Sequence, residues 1–368
     1  METFLLLKLS ITYFPCCQYL IDSLPITNKL PALSLGLALA TIPVSASAST
    51  FSNLFAFGDS LTDSGNVAIA TYPNYQLVPF GALMPSLAYQ SGRLTNGPTW
   101  VETLAARLGV SASPYLEGGT NFAFGGARTG PLGTTPPTPP SLLNQFALFQ
   151  TSTGGIAPSS ALYMVWGGSN NARDAAGQKL AGDSAGASAT LTGAVGDLIT
   201  IIGGLKSAGA VHILVPNLPD LGLSPEATRG VSGASAAATA VSVEFNALLR
   251  NSLTTFRNDP TINLIEIDTF SYFASITNSP SSFSLTNTTD PCVDLTTVCT
   301  NPDEYLFYDG LHPTAAVHRQ FGEFVGTQVV VVPEPGGITG ILLVTGIGAL
   351  VTKRKGTGST RSTVAQLP

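Results

Sequence analysis

The chain has 368 residues and a formal net charge of -6, with 16 Lys and Arg against 22 Asp and Glu. An acidic balance argues against a nucleic-acid partner, which calls for a basic face. Only 10% of the residues are charged, against about 25% in typical soluble domains, and Gly, Ser, Thr, Ala and Asn fill the difference, so the surface is polar but weakly charged.

From the N-terminus, the first element reads as an export signal. Lys29 precedes "LPALSLGLALATIPVSASA", an apolar run closed by Ala46-Ser47-Ala48, a small-residue pattern that suits signal-peptidase cleavage. Pro31 and Pro43 bracket a run too short to span a bilayer comfortably. Residues 1–48 are therefore assigned to a signal-peptide region. Its first 28 residues are long for an n-region, and an upstream-misassigned start codon would explain them. Cys16 and Cys17 fall inside this removed segment.

Residues 49–331 suit a single domain. Five apolar runs read as short buried strands, at 54–59, 121–125, 161–168, 211–218 and 263–268. Continuous apolar runs, rather than alternating ones, mark parallel strands buried on both faces. Helical patterns lie between them: "WVETLAARLG" after Pro98, "LLNQFALFQT", 186–208, 232–257, and a last helix with Thr314 as N-cap. That last pattern puts Val317, Phe321, Phe324 and Val325 on one face. The alternation predicts an α/β fold, a parallel sheet with helices on both faces. "TGPLGTTPPTPPS", from Thr129 to Ser141, predicts an irregular surface excursion.

Cys292 and Cys299 stand close together in "DPCVDLTTVCT". In an exported protein this spacing predicts a local disulfide. Zinc is the competing reading, and no second ligand pair accompanies the two cysteines.

The C-terminal segment, 332–368, opens on Val332-Pro333-Glu334-Pro335, continues as an apolar run to Val351 and ends beyond Lys353-Arg354-Lys355. The run is marginal for spanning a bilayer, and the basic cluster behind it favours a cytoplasmic tail. This order resembles the PEP-CTERM sorting signal of exported bacterial proteins. The resemblance implies a transient inner-membrane anchor removed by an exosortase, with delivery to the cell envelope or beyond. A simple C-terminal transmembrane anchor is the alternative.

Groups able to carry chemistry fall at the strand ends, where open α/β sheets bind ligands. Ser60 follows the first strand in "LFAFGDSLTDSGN", Gly125 and Gly126 follow the second, and Asn170 follows the third in "WGGSNN". Asp309 and His312 stand three apart in "YDGLHPT" before the last helix. Gly-Asp-Ser alone is also an ordinary turn. A nucleophilic hydroxyl needs a base, and that base needs a group to fix its tautomer. Of the three histidines, His212 lies in an apolar strand and His318 within the last helix, whereas His312 sits in a loop beside an acid.

These segments resemble, in order, the blocks of the GDSL (SGNH) hydrolases, lipase/esterase branch. "GDSL" is intact at Gly58–Leu61, "GRLTNGPTWVETLAARLG" and "GTNFAFGGA" follow, and "DGLHPT" matches the terminal D-x-x-H block; the likeness covers roughly 51–329. The resemblance implies a three-layer, flavodoxin-like SGNH-hydrolase fold of about five parallel strands. It implies carboxylic ester hydrolysis through an acyl-enzyme, with Ser60 as nucleophile, His312 as general base and Asp309 as its orienting acid. The implied oxyanion hole uses the N–H groups of Ser60 and Gly126 and the Asn170 side chain. One position departs from the family pattern: Asn171 stands where Asp is usual, a change expected to affect loop support more than chemistry.

No metal or organic cofactor is implied. The implied partners are an ester substrate (a lipid, an acylated glycan or a small ester), with signal peptidase and exosortase as processing enzymes. Phospholipase or acyltransferase activity with the same residues is one alternative. A surface-binding protein on an inactive hydrolase scaffold is the other, and the joint presence of Ser60, Gly126, Asn170, Asp309 and His312 argues against it.

Overall fold

Strand β1 (Leu54–Gly58) turns Phe55 and Phe57 to one face and Leu54 and Ala56 to the other, and the whole strand is buried. The same two-residue alternation runs through β2 (Leu162–Trp166) and β3 (His212–Pro216). A sheet covered on both sides needs apolar residues at every position. With β4 (Asn263–Ile267) these strands form a four-stranded parallel sheet in the order β1-β2-β3-β4. The computed structural model describes residues 51–71, 89, 92–130, 139–294 and 298–329. The export region at 1–48, with Cys16 and Cys17, and the sorting signal at 332–368 lie outside the described residues, as does most of the Pro-rich stretch.

In chain order the helices are α1 (Asn66–Thr71), α2 (Trp100–Leu108), α3 (Leu142–Thr153), α4 (Ser169–Leu180) and α5 (Ser184–Ser207). They continue as α6 (Pro225–Thr228), α7 (Ala234–Ser252), α8 (Thr254–Arg257), α9 (Thr269–Asn278) and α10 (Ala315–Gln328). Helices α3, α4, α5 and α7 pack on the face of Phe55, Tyr163 and Ile213. Helices α2, α9 and α10 pack on the face of Leu54, Met164 and Leu214, where Trp100, Phe273 and Phe321 fill the second core. Helix α5 is long and apolar enough to cross a membrane by length and composition. Its Leu191, Leu198, Ile201 and Leu205 instead lie in the first core.

The helix ends follow the side chains that satisfy them. Thr99 and Glu102 form a capping box on α2, and Gly109 ends that helix in the left-handed region. Thr314 caps α10 by accepting the Val317 N–H, which fixes where the chain leaves the His312 loop.

One of the five expected strands differs. Residues 121–125 run alongside β1, with Ala56 N–H donating to Thr120 and the amides of Phe122 and Phe124 donating to Ala56 and Gly58. They form no strand ladder beyond isolated bridges from Asn121 to Ala56 and to Pro114. On the far side the Asn121 amide donates to the Ser113 carbonyl and the Tyr115 amide to the Asn121 carbonyl, and beyond that point side chains take over: Asn66 Nδ2 donates to the Asn121 and Ala123 carbonyls, and Asn121 Oδ1 accepts from Ala123 N–H. Counting this extended segment as the second strand gives the order 2-1-3-4-5, that of flavodoxin-like sheets. The order reverses between β1 and β2, so the crevice at their carboxyl ends is where ligands bind in such sheets.

A second, two-stranded parallel sheet pairs β5 (Asn287–Pro291) with β6 (Tyr305–Phe307). Cys292 and Cys299, just after β5, are joined by a disulfide with a Cα–Cα distance of 4.9 Å. The Cys292 and Val293 amides donate to the Phe307 and Tyr308 carbonyls, so the bridge sits against the strand that leads to Asp309.

Gln145 of α3 closes the end of β1. Its Oε1 accepts the Gly58 N–H at 2.9 Å and its Nε2 donates to the Gly58 carbonyl at 2.8 Å, with the side chain fully buried. Gln145→Leu keeps the bulk but strands the Gly58 N–H, while the carbonyl keeps the Phe124 amide, at a cost of about 1–3 kcal/mol for a buried unpaired group. The thermal midpoint should fall by several degrees. An unchanged midpoint would show that the pairing contributes nothing.

Candidate active site

Gly58 ends β1 because nothing larger fits: a Cβ there would lie 2.8 Å from the Trp166 carbonyl oxygen. The chain then turns on Asp59, whose carbonyl accepts the Thr62 and Asp63 amides and whose Oδ1 accepts the Leu61 amide. This holds Ser60 at the carboxyl edge of the sheet, 5% exposed.

The D-x-x-H spacing of Asp309 and His312 has a local cause. Asp309 Oδ1 accepts the Leu311 and His312 amides, both at 2.7 Å, and Tyr308 N–H donates to the His312 carbonyl. The tight turn leaves Asp309 Oδ2 facing His312 Nδ1 at 2.7 Å and the Tyr89 hydroxyl at 2.5 Å. With the carboxylate accepting, Nδ1 is the donor, and Nε2 is left to accept the Ser60 O–H at 2.8 Å. Ser60, His312 and Asp309 thus form one continuous chain of hydrogen bonds, all of it buried.

Burial alone would push the Asp309 carboxyl up. The charge of His312 and hydrogen bonds from His312 and Tyr89 outweigh it and hold the group below the ordinary carboxylate range. Asp59 and Asp63, also buried, are each pushed up to about 6 because desolvation exceeds the help of their amide donors. The other two histidines are placed otherwise. His318, 3% exposed, is driven down to about 3 by burial, and its Nδ1 accepts from the Trp100 amide. His212 packs its ring edge-on against Phe51 at the start of β3.

The three donors expected from the sequence are the Ser60 and Gly126 amides and the Asn170 side chain. Gly126 adopts φ +79°, a left-handed conformation that glycine tolerates, and neither its N–H nor that of Ser60 is engaged among the described residues. Asn170 lies in the first turn of α4. Its Nδ2 donates to the Ala127 carbonyl at 2.9 Å, and its Oδ1 accepts from Arg173 at 3.4 Å. These contacts fix which end of the amide is nitrogen and leave one N–H for the cleft. Asn171 turns the other way, its Oδ1 accepting the Thr129 amide at 3.1 Å, so it supports the loop that follows Gly126.

Several supporting residues carried no assigned role in the sequence reading. Asp63 Oδ2 accepts the Gly125 amide at 2.8 Å, which ties the Gly126 loop to the Ser60 turn; its only signal was a second acid inside the first block. Arg173 pairs with Glu226, whose amide donates to the Gly310 carbonyl. Tyr89 and Asp309 are too far apart in sequence for any local pattern to pair them. Ser60, Asn170 and His312 open onto one narrow cleft between the loop after β3, α9 and β6. Among the described residues no cluster of His, Cys, Asp and Glu is arranged to hold a metal ion.

A hydroxyl hydrogen-bonded to an imidazole that is backed by a carboxylate, with free amides alongside, is the equipment of a serine hydrolase. The profile of the GDSL-like Lipase/Acylhydrolase family matches residues 54–325, and the chain belongs to that family of ester hydrolases. It is similar to a phosphatidylcholine-sterol acyltransferase of Aeromonas hydrophila, with 29% identity over 260 residues and 70% of each chain covered. It is also similar to acetylajmalan esterase 2 of Rauvolfia serpentina, with 25% identity over 329 residues, covering 75% of this chain and 89% of the relative. Among solved structures, an acetylxylan esterase of Geobacillus stearothermophilus aligns with a TM-score of 0.41 and 13% identity, over 76% of this chain and 94% of that one.

The fixed amide of Asn170 generates a test. Asn170→Ala should lower kcat about 10²–10³-fold on a p-nitrophenyl ester while KM changes little, as for loss of one oxyanion donor. A larger loss in Asn171→Ala would move the role to the neighbouring amide.

Proposed function

We propose that the protein hydrolyses carboxylic esters through a covalent acyl-enzyme on Ser60. The observation that carries this reading is the buried relay from Ser60 Oγ to His312 Nε2 at 2.8 Å and from His312 Nδ1 to Asp309 at 2.7 Å. His312 takes the Ser60 proton as Oγ attacks the ester carbonyl, and the carboxylate of Asp309 stabilises the imidazolium. The oxyanion is received by the Ser60 and Gly126 amides and Asn170 Nδ2, neutral donors aimed at charge that develops only in the transition state. The imidazolium then protonates the leaving alcohol. In the second half, water gives its proton to His312 and attacks the acyl carbon, and the proton returns to Ser60 Oγ as the acid leaves.

The name of the Aeromonas relative favours one variation, transfer of the acyl group to an alcohol in place of water. The same residues serve it, and only the second nucleophile differs.

Ser60→Ala should lower ester turnover by about 10⁴-fold or more, leaving only hole and binding effects. A fluorophosphonate probe should label the wild-type protein at Ser60 and not the variant. Near-normal turnover in Ser60→Ala would end this assignment.

The sorting segments extend the reading. Residues 1–48 direct export, 49–331 form the enzyme domain, and the V-P-E-P segment with its apolar run and basic tail anchors the chain until an exosortase cuts near Val332. The anchor is short enough to hold only marginally, which suits a temporary stop. Intact-mass measurement on envelope and medium fractions of the native host should find a released product lighter by the tail. Tail retained in every fraction would leave a permanently anchored enzyme.

A further inference from the structure

Tyr89 reaches the relay from behind. Its hydroxyl donates to Asp309 Oδ2 at 2.5 Å across 220 positions of sequence, on the same oxygen that faces His312 Nδ1. It is not among the residues that line the cleft shared by Ser60, Asn170 and His312, so any part it takes in the reaction passes through Asp309. The ring has a seat of its own. It meets Tyr308 edge-on, with centroids 5.7 Å apart, and packs with Cys292, Val293 and Cys299 in one apolar cluster. Asp309 Oδ1 is committed to the Leu311 and His312 amides. One oxygen therefore serves both the imidazole and the phenol. A donor to a buried carboxylate favours its ionised form, and the charge that the phenol takes up is charge that no longer bears on the imidazole.

Resting on the reading of Ser60, His312 and Asp309 as one relay, we propose that Tyr89 is a positioning residue of the reaction, whose hydroxyl holds Asp309 turned to His312 and sets how acidic the medium can become before the base is lost. The other groups around the pair stay the same when Tyr89 is changed. The charge of His312 bears on Asp59 and on His318, that of Arg173 on Asp59, and that of Asp309 on Tyr308. Asp59, pushed up to about 6, titrates in the same range, so the difference between variants isolates the phenol where a single profile would not. Without the hydroxyl, the Asp309 carboxyl rises from its depressed position and more of its charge bears on the imidazole. The coupled pair then takes up its proton at a higher pH. A more acidic phenol, a stronger donor, has the opposite effect.

The test is the pH profile of kcat/KM on p-nitrophenyl butanoate for the wild type, for Tyr89→Phe and for the protein carrying 3-fluorotyrosine at position 89. Tyr89→Phe keeps the ring in its cluster. Its acid limb should move up by about half a pH unit or more, and kcat on the plateau should fall about threefold or more while KM changes little. The fluorinated phenol should move the limb down. A limb that stays in place in Tyr89→Phe, or that moves the same way in both proteins, overturns the proposal, as does a change confined to KM. Should Tyr89→Phe fail to fold, the fluorinated protein decides alone, and a limb unmoved or moved up overturns the proposal. These failures leave Ser60 of the wild type labelled by fluorophosphonate. Absence of that labelling would instead remove the relay on which the proposal rests.

Discussion

A single buried carboxylate joins the loops from which the site is built. Asp63 accepts the amides of Gly65 and Asn66 on one oxygen and those of Val67 and Gly125 on the other. The first three close the turn that begins at Ser60 and start α1. The fourth comes from the far side of the first βα unit and sets the position of the Gly126 amide relative to the Ser60 hydroxyl. Without it, Ser60 and Gly126 would sit on two loops with separate freedom. A charge fully withdrawn from water is costly, and burial does push Asp63 up to about 6. Four amide donors are the arrangement that lets an acid remain there.

The opposite side of the site is braced by the small sheet. Asp309 and His312 follow β6, β6 pairs with β5, and the disulfide just beyond β5 packs with Tyr308 and Tyr89 in one apolar cluster. Tyr89 completes the brace by donating to Asp309 Oδ2. A carboxylate that takes the tyrosine hydroxyl and the imidazole on one oxygen and two amides on the other has little freedom to rotate, and His312 inherits that rigidity. On the remaining side, Arg173 reaches from α4 to Asn170 and to Glu226, and Glu226 is tied by its amide to Gly310. Asn170 and the His312 loop are therefore joined by a connection that runs outside the cleft.

Much of this was legible in the sequence, for reasons that can be named. Strands β1, β2 and β3 are continuous apolar runs because both faces of the sheet are covered, and each run breaks at a Gly, Pro or polar residue where the chain enters the crevice. Asp309 and His312 were legible because the turn that joins them is local. The extended segment at 121–125 looked like a strand from its own residues, but its outer edge is met only by the Ser113 and Tyr115 backbone at Asn121 and by the side chain of Asn66, more than fifty positions away. Helix α4 escaped notice because its buried residues are Ala172, Ala175 and Ala176, whose small side chains give little amphipathic signal. Helix α9, "TFSYFASITN", is rich in β-branched and aromatic residues of modest helix propensity. It forms because Asp268 caps it and Tyr272, Phe273 and Ile276 fill the second core.

The contact at Asn171 shows why the geometry tolerates a change from the family pattern there. A side-chain oxygen is what the Thr129 amide requires, and an amide supplies it as a carboxylate would. The pairing asks for an acceptor and not for a charge. Asn170 has the opposite requirement, because its oxygen is already committed to Arg173 and its nitrogen to Ala127. An acid there would turn an acceptor toward the Ala127 carbonyl. Two adjacent asparagines thus sit under different constraints, one defined by the oxygen it offers and the other by the N–H it keeps free.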